Sequence, residues 1–188
     1  VLFRSGFAEE MVSPEEGVAR AMDIAKAAKK PVVLADTQDN PGCGGSADAT
    51  GLLKALVAAN AQGAALGYLC DADAAKAAHA AGEGAKIKIA LGGKSGPDGV
   101  TPFEAEFTVA KLGSGKFRTD GAGSGNRDVD LGPMALLQVG GVKVAVTSKR
   151  MQAYDQSPFR HLGVEPVREK ILALKSTCHY RADRKSTR

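Results

Sequence analysis

The sequence predicts an α/β fold, a mixed sheet with helical crossovers in its N-terminal part and an antiparallel, hairpin-rich insert. Three observations carry this. Helix signals and short continuous apolar runs alternate as α-β-α-β-α up to about residue 82, the pattern of a parallel sheet. From residue 85 apolar and polar residues alternate with period two, as in half-exposed strands. Glycine-rich turns then break that second half at hairpin spacing.

Taken in order, Ser13-Pro14-Glu15-Glu16 reads as a helix start, with Ser13 as cap, Pro14 at the first helical position and Glu16 completing a capping box. The helix runs to Lys29-Lys30, and Pro31 stops it. Pro31 to Asp36 is a short apolar run, expected as a strand buried on both faces. A polar, Gly-rich loop from Thr37 to Thr50 delivers the chain into a helix over 51–62, stopped by Gly63. Ala64 to Leu69 is a second buried strand, and Asp71 caps an Ala-rich helix over 73–81 that ends at Gly82.

Residues 85–91 and 103–112 alternate as strands, and Gly113-Ser114-Gly115 predicts a hairpin from the second into Lys116-Phe117-Arg118. A Gly-rich loop spans Asp120 to Asp130, and Gly140-Gly141 joins strands at 134–139 and 142–147. Ser157 to Gly163 reads as a short helix, and 171–174 as a last buried strand.

Composition excludes several classes. Of 188 residues 44% are hydrophobic, enough for a core, but Trp is absent, so the core must rest on Val, Leu, Ile and Ala. The net charge is +4, yet Arg4, Arg184, Lys185 and Arg188 lie in the outermost residues. Without those four, 25 − 4 = 21 basic residues face 21 acidic ones, and a neutral body gives no reason to expect nucleic acid or a membrane surface as partner. The ends, residues 1–5 and 184–188, read like translated sequencing adaptor, leaving 6–183 as the domain. Cys43, Cys70 and Cys178 are odd in number and far apart, which points to a reducing, cytoplasmic setting. No run of about 18 apolar residues is present.

The loop after the first strand is the most informative segment. It leaves the C-terminal end of a buried strand, where ligands sit in open α/β sheets. Amides of Gly42, Gly44, Gly45 and Ser46 can form an anion nest, and Asp36, Asp39 and Asp48 can orient polar partners or a cation. The alternative is a connector whose acids cap the next helix. Gly92-Gly93-Lys94-Ser95 ends like a phosphate loop but opens no helix. His79, His161 and His179 have no zinc spacing with one another or with the cysteines.

Lys175-Ser176-Thr177-Cys178-His179-Tyr180-Arg181 places a cation, hydroxyls, an imidazole and a guanidinium after the last strand, a cluster suited to a carboxylate or an oxyanion. In a strand, Cys178 and His179 would point to opposite faces and not meet. Arg150 either pins its loop by pairing with Asp155 or clamps a substrate carboxylate.

These segments together resemble the C-terminal domain of the MlrC-type (microcystinase C, M81) metallopeptidases. The likeness runs through Val33-Leu34-Ala35-Asp36, Asp39-Asn40-Pro41-Gly42, Gly44-Gly45 and Asp48-Ala49-Thr50, and then Leu91-Gly92-Gly93-Lys94 with Gly96-Pro97. It continues through Asp130-Leu131-Gly132-Pro133, Thr147-Ser148-Lys149-Arg150 with Gln152-Ala153 and Asp155, and Lys175-Ser176 with His179-Tyr180-Arg181. Cys43 stands where the family usually has Gly, and Tyr180 where Phe is common.

The resemblance implies a zinc-dependent peptidase whose metal ligands lie in a preceding N-terminal domain, with none expected in this chain. That domain and a peptide substrate are then the expected partners. On this view Asp36, Asp39, Asn40, Gly42, Gly44, Gly45, Ser46, Asp48, Arg150, Lys175, Ser176, His179 and Arg181 face the interdomain cleft and bind substrate, and no catalytic residue is assigned here. An autonomous small-molecule or anion-binding module, or a structural domain that dimerises, are the competing readings.

Overall fold

The computed structural model describes residues 11–95, 100–121 and 124–179. Helices α1 (Pro14–Ala25), α2 (Gly51–Ala58), α3 (Ala72–Ala81) and α4 (Ser157–His161) accompany nine strands. These are β1 (Val32–Ala35), β2 (Ala64–Cys70), β3 (Lys86–Leu91), β4 (Phe103–Gly113), β5 (Lys116–Arg118), β6 (Asp128–Asp130), β7 (Met134–Val139), β8 (Val142–Thr147) and β9 (Ile171–Leu174). Both adaptor-like ends lie outside the described residues.

Seven strands form one sheet in the order β1-β9-β2-β8-β7-β4-β3. The first four are mutually parallel and the rest antiparallel, so the expected mixed sheet is present. The last strand in sequence, β9, is inserted between β1 and β2. The C-terminal ends of β1, β9, β2 and β8 therefore lie along one edge.

The two faces of the sheet carry separate cores, because successive strand residues point to opposite sides. On one face Leu66, Leu69, Val144, Val146 and Ile171 meet Val18 of α1, Leu53 and Leu56 of α2, and the alanines of α3. On the other, Tyr68, Leu136, Ala145 and Leu172 meet Phe159 and Leu162 of α4, with Phe117 and Val129 packed alongside. The Tyr68 and Phe159 rings lie 5.0 Å apart. A Cβ on Gly67 would stand 2.6 Å from Phe159 Cζ, so this strand position is glycine to admit the ring.

Several expectations need correction. The first strand is half-buried throughout rather than buried on both faces, because β1 is the end strand of the sheet. Helix α1 stops at Ala25, four residues before Lys29. Its capping box is half formed: Ser13 Oγ accepts from the Glu16 amide, but Glu16 pairs with Arg20. The hairpin from β4 into β5 does not form. β4 is flanked by β3 and β7, while β5 pairs with β6, a strand inside the segment read as loop. Gly115 (φ +74°) redirects the chain there so closely past Gly132 that a Cβ would lie 1.8 Å from its carbonyl oxygen. The β7–β8 hairpin forms as expected.

Truncating Phe159 to Ala removes the ring that fills the Gly67 notch. Urea unfolding should show a loss of about 3–5 kcal/mol; a loss under 1 kcal/mol would mean that α4 is not part of the folding unit.

Candidate functional site

Where β1 and β9 end side by side, Asp36 and Lys175 extend the two strands, and the Asp36 amide still donates to the Leu174 carbonyl at 2.8 Å. Lys175 is 1% exposed. Its Nζ donates to Asp36 Oδ2 at 3.1 Å, Asp39 Oδ2 at 2.8 Å and the Ala49 carbonyl at 2.7 Å. An ammonium has three donors, and all three are matched. Asp39 also accepts from the amides of Ala47 and Ala49, both at 2.7 Å. Burial alone would raise the Asp39 carboxyl, but the adjacent Lys175 charge and these amides outweigh it and hold it below its ordinary value.

Asp48 is the second buried anchor. Its Oδ1 accepts from Ser46 Oγ at 2.5 Å, and its Oδ2 from the amides of Lys94 and Ser95 and from Ser95 Oγ, each at 2.8 Å. Burial raises this carboxyl too, and the Ser46 and Ser95 donors outweigh it. The segment that resembled a phosphate loop thus wraps an internal carboxylate, while Lys94 Nζ pairs with Asp71 Oδ2 at 2.8 Å. Asp71 also caps α3 through the Ala74 amide, as expected, and accepts from the Gly92 amide at 2.9 Å.

The glycine loop is not an open anion nest. Cys43 and Gly45 donate their amides to the Asn40 carbonyl, and Gly44 donates to that of Pro41. The Gly42 amide donates to Asn40 Oδ1 at 3.0 Å and to Gln152 Oε1 at 2.5 Å. Asn40, itself buried, donates to Thr177 Oγ1 at 2.8 Å and so ties the loop to the segment after β9. Neither Asp39 nor Asp48 caps α2, which has no side-chain cap.

Gln152 joins the third segment. Besides Gly42, it meets Ser176 Oγ at 2.9 Å and His179 Nδ1 at 3.0 Å through Nε2. A Cβ on Gly42 would stand 2.2 Å from Gln152 Oε1, so any side chain there would displace the glutamine amide. Ser176 is buried and His179 exposed.

Arg150 is exposed and reaches the Gly45 carbonyl at 3.4 Å. The expected pair with Asp155 is absent: Asp155 is buried and accepts from Gly121 N, Ser124 Oγ and Ser157 N. β9 ends at Leu174, so strand alternation does not separate Cys178 from His179, and Cys178 Sγ lies 4.0 Å from His179 Nδ1. Arg181 lies outside the described residues. The remaining predicted residues converge at the ends of the parallel strands, where Asp39, Asn40, Asp48, Lys175 and Ser176 are buried and Gly42, Gly44, Arg150 and His179 are exposed. Gln152 and the Lys94–Asp71 pair belong to the framework there and were not predicted as site residues.

The surface does not fit a metal. Asp36 and Asp39 converge on an ammonium, where a cation would otherwise sit, and Asp71 is likewise paired with Lys94. Among the described residues no three His, Cys, Asp or Glu side chains group as metal ligands.

Comparison with known proteins decides the family. The model of the MlrC C-terminus matches residues 34–187. The chain belongs to the MlrC C-terminal family. This MlrC C-terminal domain is 31% identical over 169 residues to microcystinase C of Sphingomonas sp., covering 89% of the chain but 32% of that protein. It superposes with TM-score 0.84 and 25% identity on a crystal structure from Mesorhizobium sp. BNC1 described as a "Putative metallopeptidase", covering 98% of the chain and 36% of that one. The chain therefore spans about a third of the length of these relatives.

Replacing Lys175 with Met leaves two carboxylates facing an apolar side chain and should cost about 3–5 kcal/mol at neutral pH. The pH dependence should also change. A carboxyl lowered in the folded state, as Asp39 is, stabilises folding above its ordinary value near 4. That contribution is lost as pH falls through the depressed folded value. Without Lys175, burial should raise Asp39, so the variant should gain stability relative to wild type as pH falls below about 5. Urea unfolding between about pH 3 and 7 checks this; parallel curves would show that Lys175 does not govern Asp39.

Proposed function

We propose that this domain is the substrate-binding part of a zinc-dependent peptidase of the microcystin-degrading type. The metal ligands and hydrolytic centre would come from the preceding part of the longer polypeptide that its relatives possess. The carrying observation is the surface itself. Its acids are held internally by lysines and amides, and it presents Arg150 and His179 at the exposed rim. Such a surface positions a peptide; it offers no cage for a Lewis acid. The domain alone is then inactive. No helix among the described residues is long and apolar enough to cross a membrane, and the reading keeps the cytoplasmic expectation.

Arg150 has the clearest role in this scheme. Its guanidinium lies at the surface above the glycine loop, where it would take a peptide carbonyl or carboxylate by paired hydrogen bonds. A charge-assisted bond is worth about 1.5–3 kcal/mol, roughly ten- to a hundred-fold in affinity.

A chimaera tests both points. This chain should replace the corresponding C-terminal third of Sphingomonas microcystinase C and preserve metal-dependent hydrolysis of a linear peptide. The chain alone should show none, with or without zinc. Within the chimaera Arg150→Ala should raise KM roughly tenfold with kcat nearly unchanged. Zinc-dependent hydrolysis by the isolated chain, or an unaltered KM, would defeat the proposal.

A further inference from the structure

Of the hydrogen bonds at the rim, those of Gln152 determine more than position. A glutamine amide and an imidazole can each be drawn in two ways, and only their partners decide between them. Here the decision starts from a group with no ambiguity. The Gly42 backbone N–H can only donate, and it stands 2.5 Å from one end of the Gln152 amide. That end must be the oxygen, since the NH2 group there would set two donors against each other. The NH2 end therefore faces Ser176 Oγ at 2.9 Å and His179 Nδ1 at 3.0 Å, and donates to both. Nδ1 must accept, so in the neutral ring the proton sits on Nε2. Cys178 Sγ stands farther from Nδ1, at 4.0 Å.

We infer that Gln152 is a positioning residue that holds His179 as the Nε2–H tautomer, so that this exposed imidazole donates a hydrogen bond to an acceptor oxygen of bound peptide. The assignment deepens the substrate-binding reading above and rests on it for the identity of the ligand. It also says what His179 does not do. A ring with its Nδ1 lone pair occupied and its Nε2 protonated offers a ligand neither a base nor a lone pair for a metal. Metal-bound histidines typically have the opposite arrangement, with the second nitrogen donating to an acceptor behind it. Here the group behind is itself a donor. The acceptor oxygen belongs to a peptide carbonyl or carboxylate, both of which accept without giving up a proton.

The other two imidazoles provide references in the same molecule. His161 Nε2 accepts from the Gly115 amide at 3.0 Å, so its proton is on Nδ1. His79 Nε2 lies 3.0 Å from the Met134 carbonyl, which can only accept, so its proton is on Nε2. Long-range 1H–15N correlation on the 15N-labelled chain at about pH 8, above the ordinary imidazole value, reads all three. Signals lost in His179→Ala identify that ring.

His179 should match His79, with an unprotonated Nδ1 and a protonated Nε2, and differ from His161. Gln152→Glu keeps an acceptor for Gly42 but puts an acceptor behind Nδ1, and should invert the ring to the His161 pattern. Gln152→Met should give both nitrogens averaged positions. A wild-type Nδ1–H, or a ring unchanged in both variants, overturns the inference. Millimolar N-acetylglycine and N-acetylglycinamide then probe the ligand. Movement of the Nε2–H signal by the first alone assigns a carboxylate, and by both a carbonyl. Movement by neither, with the tautomer as stated, removes the peptide-binding role and leaves the tautomer assignment intact.

Discussion

The burial of one ammonium group organises this end of the molecule. Lys175 is 1% exposed, and such a charge is tolerated only when each donor meets an acceptor and a counter-charge lies in contact. Asp36, Asp39 and the Ala49 carbonyl meet those demands. Because the acceptors come from the residue after β1 and from two points in the following loop, one lysine sets the path of the fourteen residues 36–49. Asp39 passes the constraint on through the amides of Ala47 and Ala49, and Asp48 carries it to the segment after β3. The rim residues rest on a frame whose polar atoms are already matched to each other.

That internal matching separates what the chain binds from what it is built of. Carboxylates at the ends of parallel strands invite a metal or a cationic ligand, and successive glycine amides invite an anion. Here each kind of group answers the other within the chain. The Lys94 and Ser95 amides, with the Ser95 hydroxyl, hold Asp48, and the glycine-loop amides hold the carbonyls of Asn40 and Pro41 and the amide oxygen of Gln152. Among the described residues that face outward at the rim are the Arg150 guanidinium and the His179 imidazole. The family relationship and the span of about a third of its relatives are consistent with a surface completed by the rest of a longer polypeptide.

The alternation of helices and apolar runs made the parallel half legible, including the Asp71 cap, because those signals are local. The position of β9 between β1 and β2 was not legible, since nothing local distinguishes a central strand from an end strand of four apolar residues. β5 was misplaced for a related reason: a turn signal at Gly113-Ser114-Gly115 says that the chain changes direction, not which strand receives it. At the site, residue types marked Asp36, Asp39 and Asp48 in one segment and Lys175 in another, and the resemblance put both at one cleft, but nothing marked them as each other's partners. Proximity in sequence offers Asp155 as one of two partners for Arg150, whereas Asp155 is occupied by donors from 121–124 and 157. Gln152 carries no charge or motif, and only the backbone of Gly42 against it reveals its role.

The Lys175–Asp36 contact joins residues 139 positions apart in the chain. During synthesis, the first loop leaves the ribosome before Lys175, the ammonium partner of Asp36 and Asp39. That partner arrives only when nearly all of the described chain has been made, because the lysine follows β9, the last of the described strands. Translation products that stop before residue 175 hold every residue of the Gly42 loop and still lack the frame that shapes it. β9 thus supplies the frame of the rim only after the other strands of its sheet have been made.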